Sequence, residues 1–237
     1  MEGRVVLVTG ASGGIGHAIA RRLGTAGATV AVHYGRNEAA GRALAARLPR
    51  AAAFGADMLL KKAPDELVDQ VESELGPVDM LVANHGVARR AAVEDVDADD
   101  FDYTLAVNLR APFLLARRVL PGMRERGFGR ILFVSSVAAF TGGIVGPHYA
   151  ASKAGLNAIT HHIASRTAGD GITVNAIAPA LIENTDMLPG DPGELASRIP
   201  VGRLGRPEEV ADLAMAVLGN AYLTNQVLSL DGGVYPR

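Results

Sequence analysis

The chain has 237 residues, of which 49% are hydrophobic, and it carries 23 basic and 25 acidic side chains but no cysteine. This composition excludes a disordered chain, a disulfide framework and thiol chemistry, and the net charge of −2 argues against a nucleic-acid partner. The apolar runs are far shorter than the ~18 residues of a membrane span. We therefore expect no membrane partner, and a cytoplasmic protein that starts its fold at Val5–Val8 without a signal peptide.

Short apolar runs alternate with longer amphipathic stretches along the chain. The runs lack polar alternation, which is typical of strands buried on both faces; they are Val5–Val8, Thr29–His33, Ala51–Phe54, Met80–Ala83, Ile131–Ser135, Thr173–Ala178 and Gln226–Leu230. The stretches with helical periodicity are Ile15–Thr25, Glu38–Leu48, Pro64–Leu75, Asp99–Arg126, Tyr149–Ala168 and Pro207–Gly219. This alternation predicts an α/β fold: one Rossmann-type domain over residues 1–237, with a doubly wound parallel sheet of about seven strands and helices on both faces.

A long irregular stretch, Pro179–Arg206, is rich in proline and glycine. Loops of this length inside a compact domain are usually functional. We expect it to act as a substrate loop or lid, and we expect the substrate walls to come from this loop and from Ala88–Val96 and Ala138–His148.

A glycine-rich segment, Thr9–Gly16, follows the first strand and opens the first helix. Glycines in such a turn let the backbone approach a pyrophosphate, and the helix start supplies free N–H groups. Because parallel strands end at one edge of the sheet, Asp57 after the third strand and Asn84-His85-Gly86 after the fourth are expected beside it. Asp57 is placed to accept a hydrogen bond from an adenine amino group.

The end of the second strand indicates which dinucleotide is bound. An acidic residue there would pair with a ribose 2′-hydroxyl and repel a 2′-phosphate. This chain has His33-Tyr34-Gly35-Arg36-Asn37, with no acid before Glu38. Since Arg36 can meet a phosphate through paired donors, NADP(H) is favoured over NAD(H). The alternative is that Arg36 is only a solvated surface charge.

Tyr149 and Lys153 stand four residues apart at the start of a predicted helix and so share one face. A neighbouring ammonium lowers the pKa of a phenol, which makes the pair a tunable proton donor for a developing alkoxide. Ser136 closes the fifth strand at the same sheet edge and can bond the same substrate oxygen. Asn108 lies within a long predicted helix, where its amide could hold a water or open the helix locally.

These motifs have the order and spacing of the short-chain dehydrogenase/reductase family, which the chain resembles over essentially its whole length. The resemblance implies that Tyr149 is the acid–base group, that Lys153 lowers its pKa and holds the nicotinamide ribose, that Ser136 orients the carbonyl and that Asn108 sustains a proton relay. The candidate cofactor-binding residues are then Gly10, Ser12, Gly14, Ile15, Gly16, Arg36, Asp57, Asn84, Gly86, Tyr149, Lys153, Pro179, Ile182 and Thr185.

Two C-terminal segments, Pro200–Ala211 and Leu228–Gly233, are similar to those of the 3-oxoacyl-[acyl-carrier-protein] reductases. That similarity implies a role in fatty acid biosynthesis, an NADPH cofactor and a homotetramer that packs through the helices from Tyr149 and Pro207 and through the last strand. Asp170 stands where these reductases often carry an arginine. Because an acid would repel an acidic carrier protein, the carrier partner is in doubt.

A second departure is His85, which replaces the alanine of the family's Asn-Asn-Ala-Gly motif and so places an imidazole beside the expected cofactor. Its ring is either a pH-sensitive contact or a side chain that only fills space. We expect no metal site, because the adjacent pair His161-His162 points in two directions on a helix. The sequence therefore predicts an NADPH-dependent carbonyl reductase acting on a 3-oxoacyl thioester or a related ketone. The alternatives are an alcohol dehydrogenase, a polyketide-type ketoreductase with another substrate, and a non-catalytic nucleotide-sensing module.

Overall fold

A parallel sheet of seven strands forms the centre of the computed structural model, which describes residues 1–185, 188 and 191–235. The strand order is β3-β2-β1-β4-β5-β6-β7 and every pairing is parallel. The strands are β1 (Val5–Val8), β2 (Thr29–Tyr34), β3 (Ala51–Gly55), β4 (Met80–Ala83), β5 (Gly129–Val134), β6 (Ile172–Pro179) and β7 (Val227–Leu230). This architecture confirms the predicted doubly wound sheet.

Helices cover both faces of the sheet. They are α1 (Gly14–Thr25), α2 (Glu38–Ala45), α3 (Ala63–Leu75), α4 (Ala98–Leu105), α5 (Ala111–Glu125), α6 (Ala138–Thr141), α7 (Pro147–Thr167), α8 (Pro192–Ala196) and α9 (Pro207–Gly219). One buried apolar core joins α1, α2 and α9 to the sheet, and a second joins α3, α5 and α7 to the opposite face. The two strands at the centre of the sheet, β1 and β4, are apolar throughout because both of their faces are covered.

Local signals in the sequence explain several helix boundaries. The side chains of Asn37 and Asp97 accept hydrogen bonds from backbone N–H groups in the first turns of α2 and α4, at 3.1 and 2.8 Å. At the other end of α3, Gly76 adopts a φ of 96°, which a glycine reaches without steric cost. These caps place the helix ends close to the predicted positions.

The prediction of one unbroken helix over Asp99–Arg126 is wrong. A π-helical turn, Ala106–Arg110, separates α4 from α5 and is named the π-turn below. The break coincides with Pro112, which has no N–H to donate to the carbonyl group of Asn108 one turn earlier. Two short helices, α6 and α8, were also not predicted.

The carboxyl ends of the strands bring the candidate site together. The chain runs from β1 toward β2 and β3 on one side, and β4 to β7 lie on the other side, so a crevice forms where the order reverses between β1 and β4. The glycine-rich turn and the residues that follow β4 and β5 lie at this edge. Within the described residues, no helix has both the length and the apolar character needed to cross a lipid bilayer.

Candidate active site

The glycine-rich turn is packed so tightly that two of its glycines leave no room for a side chain. A Cβ at Gly16 would lie 2.4 Å from the Gly10 carbonyl oxygen and 2.6 Å from Nδ2 of Asn84, and Gly10 itself has a φ of 64°. The α1 helix that starts here has Gly13 as its N-cap, with no side-chain cap and no acidic residue in its first turn. Its first N–H groups and the positive end of its dipole are therefore available to an anion.

Ser12 and Ile15 lie half-buried in the same segment. Beside them, the loop after β6 closes on the turn: a Cβ at Gly14 would lie 2.4 Å from the Asn184 carbonyl oxygen and 3.3 Å from Cγ2 of Thr185. The Thr185 hydroxyl donates to the carbonyl group of Ile182 at 2.9 Å. The structure thus brings Thr185 to the glycine-rich turn, and Ile182 lies in the same loop, bonded to the Thr185 hydroxyl.

The loop from Pro179 onward is anchored at its start. The Pro179 carbonyl group accepts from the Val137 backbone N–H at 3.0 Å, which fixes the loop beside the residues that follow β5. Of the predicted loop Pro179–Arg206, residues 186, 187, 189 and 190 lie outside the described residues.

Arg36 lies exposed at the carboxyl end of β2. The nearest acid in sequence, Glu38, is held by Arg42 through a 2.7 Å ion pair one helical turn further on. In the part of the chain that the structure describes, Arg36 itself has no ion-pair partner. Its guanidinium is therefore free to meet an anionic group. Asp57, also exposed, uses one carboxylate oxygen to accept from the Leu59 N–H at 3.0 Å, and its other oxygen remains available.

Asn84 braces the glycine-rich turn from the side of β4. Its amide Nδ2 donates to the carbonyl groups of Thr9 and Gly10 at 3.0 and 3.2 Å, and its backbone N–H donates to Oγ1 of Thr9 at 3.0 Å. Both amide protons are used within the protein, so the Nδ2 group of Asn84 supports the turn. Contact between Asn84 and the cofactor stays a prediction. Gly86 follows it, half-buried, at the crevice.

Two buried histidines stand behind this turn. His33 accepts from the Gly10 backbone N–H at Nδ1 (3.0 Å) and pairs through Nε2 with the Ala56 carbonyl group (3.1 Å). Since a carbonyl group can only accept, Nε2 carries the proton and the ring is neutral. Burial lowers the pKa of His33 to about 4. The second, His85, packs edge-on against His33 with ring centroids 6.1 Å apart.

Ser136, Tyr149 and Lys153 converge at the carboxyl end of β5. Tyr149 and Lys153 lie on one face of α7, with the lysine Nζ 5.7 Å from the phenol ring centroid. The Lys153 ammonium donates to the Val134 carbonyl group at 2.8 Å. Ser136 hydrogen-bonds the phenol of Tyr149. Its neighbour Ser135 is instead buried and donates to Asn157 Oδ1 at 2.7 Å, so Ser136 is the serine of the site.

Burial shifts the pKa values of Tyr149 and Lys153 in opposite directions. Burial raises the pKa of the Tyr149 phenol, and the hydrogen bond from Ser136 offsets only part of that rise. Desolvation of the phenolate is the main cause of this rise. That Lys153 lowers the pKa of the phenol stays a prediction. Burial also lowers the pKa of Lys153, to about 8. The phenol is protonated at neutral pH, while the lysine titrates close to that range.

Asn108 is fully buried in the π-turn and its side chain makes three hydrogen bonds. Oδ1 accepts from the Val87 N–H at 2.8 Å, and Nδ2 donates to the Val87 carbonyl group at 2.9 Å and to Oγ of Ser152 at 3.3 Å. The expected local opening of the helix is present. Oδ1 accepts one bond and has a second lone pair, so the alternative that the amide holds a water stays a prediction.

Comparison with known proteins decides the family. The family model described as short chain dehydrogenase matches residues 4–192. The chain is 36% identical to the acetoacetyl-CoA reductase of Rhizobium meliloti, with 98% of each chain covered. It is 37% identical to the 3-oxoacyl-[acyl-carrier-protein] reductase FabG of Thermotoga maritima, with 99% of this chain and 98% of that chain covered. The chain belongs to the short-chain dehydrogenase family.

A solved structure agrees with this assignment. The crystal structure of a blue fluorescent protein from a metagenomic library, in complex with NADPH, matches this short-chain dehydrogenase with a TM-score of 0.93 and 35% identity, covering 99% of each chain. The resemblance inferred from the sequence motifs is therefore confirmed, and the protein is an oxidoreductase.

Three supporting residues of this dehydrogenase were missed from the sequence. Thr9 accepts backbone N–H groups from Asn84 and His85. Ser152 links Asn108 to the Tyr149 carbonyl group, to which it donates at 2.7 Å. His33 was noted only as part of the strand end. A polar residue at the end of an otherwise apolar strand is a signal that could have identified His33 as a buried anchor.

The described residues contain no group of three or more histidine, aspartate or glutamate side chains that could hold a metal ion. By contrast, the crevice fits a dinucleotide well. It presents an uncapped helix start, a glycine-rich turn without room for side chains, and a free arginine at the end of β2.

Proposed function

We propose that this protein is an NADPH-dependent carbonyl reductase that converts a 3-oxoacyl thioester, or a related ketone, to the hydroxy compound. The observation that carries the proposal is the state of Tyr149. Its phenol is buried, hydrogen-bonded by Ser136 and raised in pKa, so it is protonated at neutral pH. A proton donor for reduction must start in that state.

The site residues divide the chemistry among them. When bound, a nicotinamide supplies the hydride that forms the new C–H bond at the carbonyl carbon. As the C=O π bond breaks, the Tyr149 hydroxyl gives its proton to the carbonyl oxygen, and the Ser136 hydroxyl orients that oxygen by hydrogen bonding. Lys153, with a pKa lowered to about 8, can then return a proton toward the phenolate.

The preference for NADPH rests on the end of β2. Arg36 is exposed without an ion-pair partner in the described part of the chain, while Glu38 is paired with Arg42. A 2′-phosphate would find a guanidinium there and would meet no free carboxylate. The NADPH complex of the solved relative supports the same assignment.

The thioester substrate rests on the full-length relatives, which are named for acetoacetyl-CoA and 3-oxoacyl carrier substrates. The expected repulsion of an acidic carrier by Asp170 is weaker than the sequence suggested, because Arg124 pairs with that carboxylate at 2.9 Å. Reduction of a carrier-bound thioester, in fatty acid biosynthesis, is therefore part of the proposal.

A homotetramer is also proposed. Apolar side chains from α4, the π-turn, α5 and α7 line an open groove on the surface, among them Leu105, Leu109, Phe113 and Ile159. The outermost strand β7 is half-buried along its length, and three of its four residues are apolar. An edge strand and a groove of this kind are usually covered in an assembly. Sedimentation of the full chain would measure the number of subunits.

A substrate panel tests the proposal. Acetoacetyl-CoA, an acetoacetyl carrier protein and a simple ketone are each assayed with NADPH and with NADH by following cofactor absorbance. We expect thioester reduction with NADPH to have the highest kcat/KM. Tyr149→Phe, which removes the proton donor and keeps the ring, should lower kcat by about 10²- to 10⁴-fold while NADPH still binds.

The matched control is Tyr222→Phe, which removes a hydroxyl from a side chain that is 99% exposed. It should leave kcat unchanged. Substantial turnover by Tyr149→Phe would show that another group supplies the proton. A higher rate in the alcohol-to-ketone direction would support the alcohol dehydrogenase alternative, and NADPH binding without turnover of any substrate would support the nucleotide-sensing module.

A further inference from the structure

The π-turn leaves one buried backbone carbonyl group, that of Val107, without a donor from its own helix. In an α-helix this carbonyl would accept from the N–H of Ala111, four residues later. Here the Ala111 N–H donates to Ala106, five residues back. The next candidate, residue 112, is a proline and has no N–H. A buried carbonyl group without a partner is costly, so a partner from elsewhere is required.

His85 supplies that partner. Its ring is buried and its Nε2 lies 3.1 Å from the Val107 carbonyl oxygen, while its Nδ1 lies 2.7 Å from Oγ1 of Thr9. Because the carbonyl group can only accept, Nε2 donates and Nδ1 accepts from the Thr9 hydroxyl. Burial lowers the pKa of His85 to about 3, which keeps this neutral form at every working pH.

We propose that His85 is a positioning residue for the catalytic machinery, and that it acts by donating a hydrogen bond to the Val107 carbonyl group and so holding the π-turn open. This role rests on the proposed reductase activity, but it concerns a residue that does not touch substrate.

The π-turn in turn places Asn108, and the connection runs on to the proton donor. Asn108 is the neighbour of Val107, and its amide clamps Val87 and bonds Ser152. Ser152 bonds the Tyr149 carbonyl group at the start of α7. Two residues that follow β4 therefore hold the π-turn: the His85 ring bonds Val107, and the Val87 backbone bonds Asn108. If the first of these bonds is lost, the turn can relax toward α-helical pairing and withdraw Asn108 from Ser152.

A pair of substitutions separates the two bonds of the imidazole. In His85→Gln, the amide nitrogen reaches the position of Nε2 and can still donate to Val107. In His85→Asn, the shorter side chain places its oxygen near the position of Nδ1, so it keeps the Thr9 bond and loses the Val107 bond. The two variants are alike in polarity and both remove the ring.

We expect His85→Asn to lower kcat about tenfold, as for a buried carbonyl group left without its donor. His85→Gln should stay within about twofold of wild type. The KM for substrate should change little in either variant. Hydrogen–deuterium exchange of the peptide spanning residues 103–116 gives a readout independent of turnover, and this segment should exchange faster in His85→Asn than in His85→Gln.

Equal kcat values in the two variants, or equal exchange of that peptide, would overturn the proposal. If both variants lose kcat and thermal stability together, His85 only supports packing and the proposal is also wrong. Failure of the proposed function is distinguishable, because wild type would then be inactive on the whole substrate panel while the exchange difference persists.

Discussion

At the carboxyl end of β2, the proposed preference for NADPH over NADH rests on a single side chain. Arg36 is exposed, and within the described residues it pairs with no carboxylate, while Glu38 is bound to Arg42. A guanidinium recognises a phosphate through two parallel N–H donors, which a hydroxyl group cannot match. We therefore expect the discrimination between NADPH and NADH to depend on Arg36.

Arg36→Ala should raise the KM for NADPH by about 10- to 100-fold, since a charge-assisted hydrogen bond is lost, and should change the KM for NADH by less than about twofold. The measurement is initial-rate kinetics with each cofactor at saturating substrate. Arg50→Ala is the control, because Arg50 precedes β3 at the opposite end of the sheet, where it bonds the Gly27 carbonyl group. Equal increases for both cofactors would show that Arg36 does not contact the 2′-phosphate.

At the scale of the element, the turn between β1 and α1 is packed so closely that it excludes a side chain at some of its positions. Gly16 sits so close to the Gly10 carbonyl group and to Asn84 that a methyl group has no space, whereas a Cβ at Gly13 would have an ordinary contact of 3.7 Å with Gly10. Gly13 also has a φ of −102°, which any residue adopts. The two glycines therefore differ in the space they leave for a side chain, although only three positions separate them.

Gly16→Ala should lower the free energy of unfolding by about 1–3 kcal/mol, because the inserted methyl group forces the packed turn apart. Gly13→Ala should be within about 0.5 kcal/mol of wild type. Urea denaturation followed by circular dichroism measures both. A Gly16→Ala variant as stable as Gly13→Ala would show that the turn can shift without cost.

At the scale of the whole molecule, two neutral histidines tie the walls of the crevice together. His33 joins the glycine-rich turn to the segment after β3, and His85 joins β1 to the π-turn. Burial lowers their pKa values to about 4 and about 3, below the ordinary value of 6.5. Between those values and 6.5 the unfolded chain binds protons that the folded chain does not. Stability is therefore fully present above about pH 6.5 and decreases as the pH falls.

His85→Gln cannot titrate, so its stability should depend less on pH. Between pH 5.5 and 4.5 (the window set by those pKa values) the slope of unfolding free energy against pH should be smaller than in wild type by up to about 1.4 kcal/mol per unit. Urea denaturation at several pH values measures it. The control His162→Gln replaces an exposed ring on α7 and should keep the wild-type slope. Parallel slopes for wild type and His85→Gln would contradict a buried neutral imidazole.

Much of the fold and part of the site could be predicted from the sequence. The strands are short, mainly apolar runs that alternate with helices, and this alternation predicts a parallel sheet. Because parallel strands end at the same edge, the edge of the sheet that carries the site could also be predicted. Tyr149, Lys153 and Ser136 were found because their spacing on a helix and after a strand is local. A local opening of the helix at Asn108 was one of two roles expected for that residue. The division into α4 and α5 was not predicted, although Pro112, four residues later, already removes a helical donor.

The sequence by itself determined the succession of strands and helices along the chain, the glycine-rich turn, the tyrosine–lysine pair and the absence of an acid before Glu38 at the end of β2. Those features depend on neighbours within a few residues or on the rule that parallel strands end at one edge. Only the tertiary structure decided the direction in which the pKa of Tyr149 is shifted and the partners of Asn84 and His85. Desolvation and hydrogen bonding depend on residues far away in sequence, and Thr9, Asn84 and Val107 meet only when the strands and the π-turn are packed together.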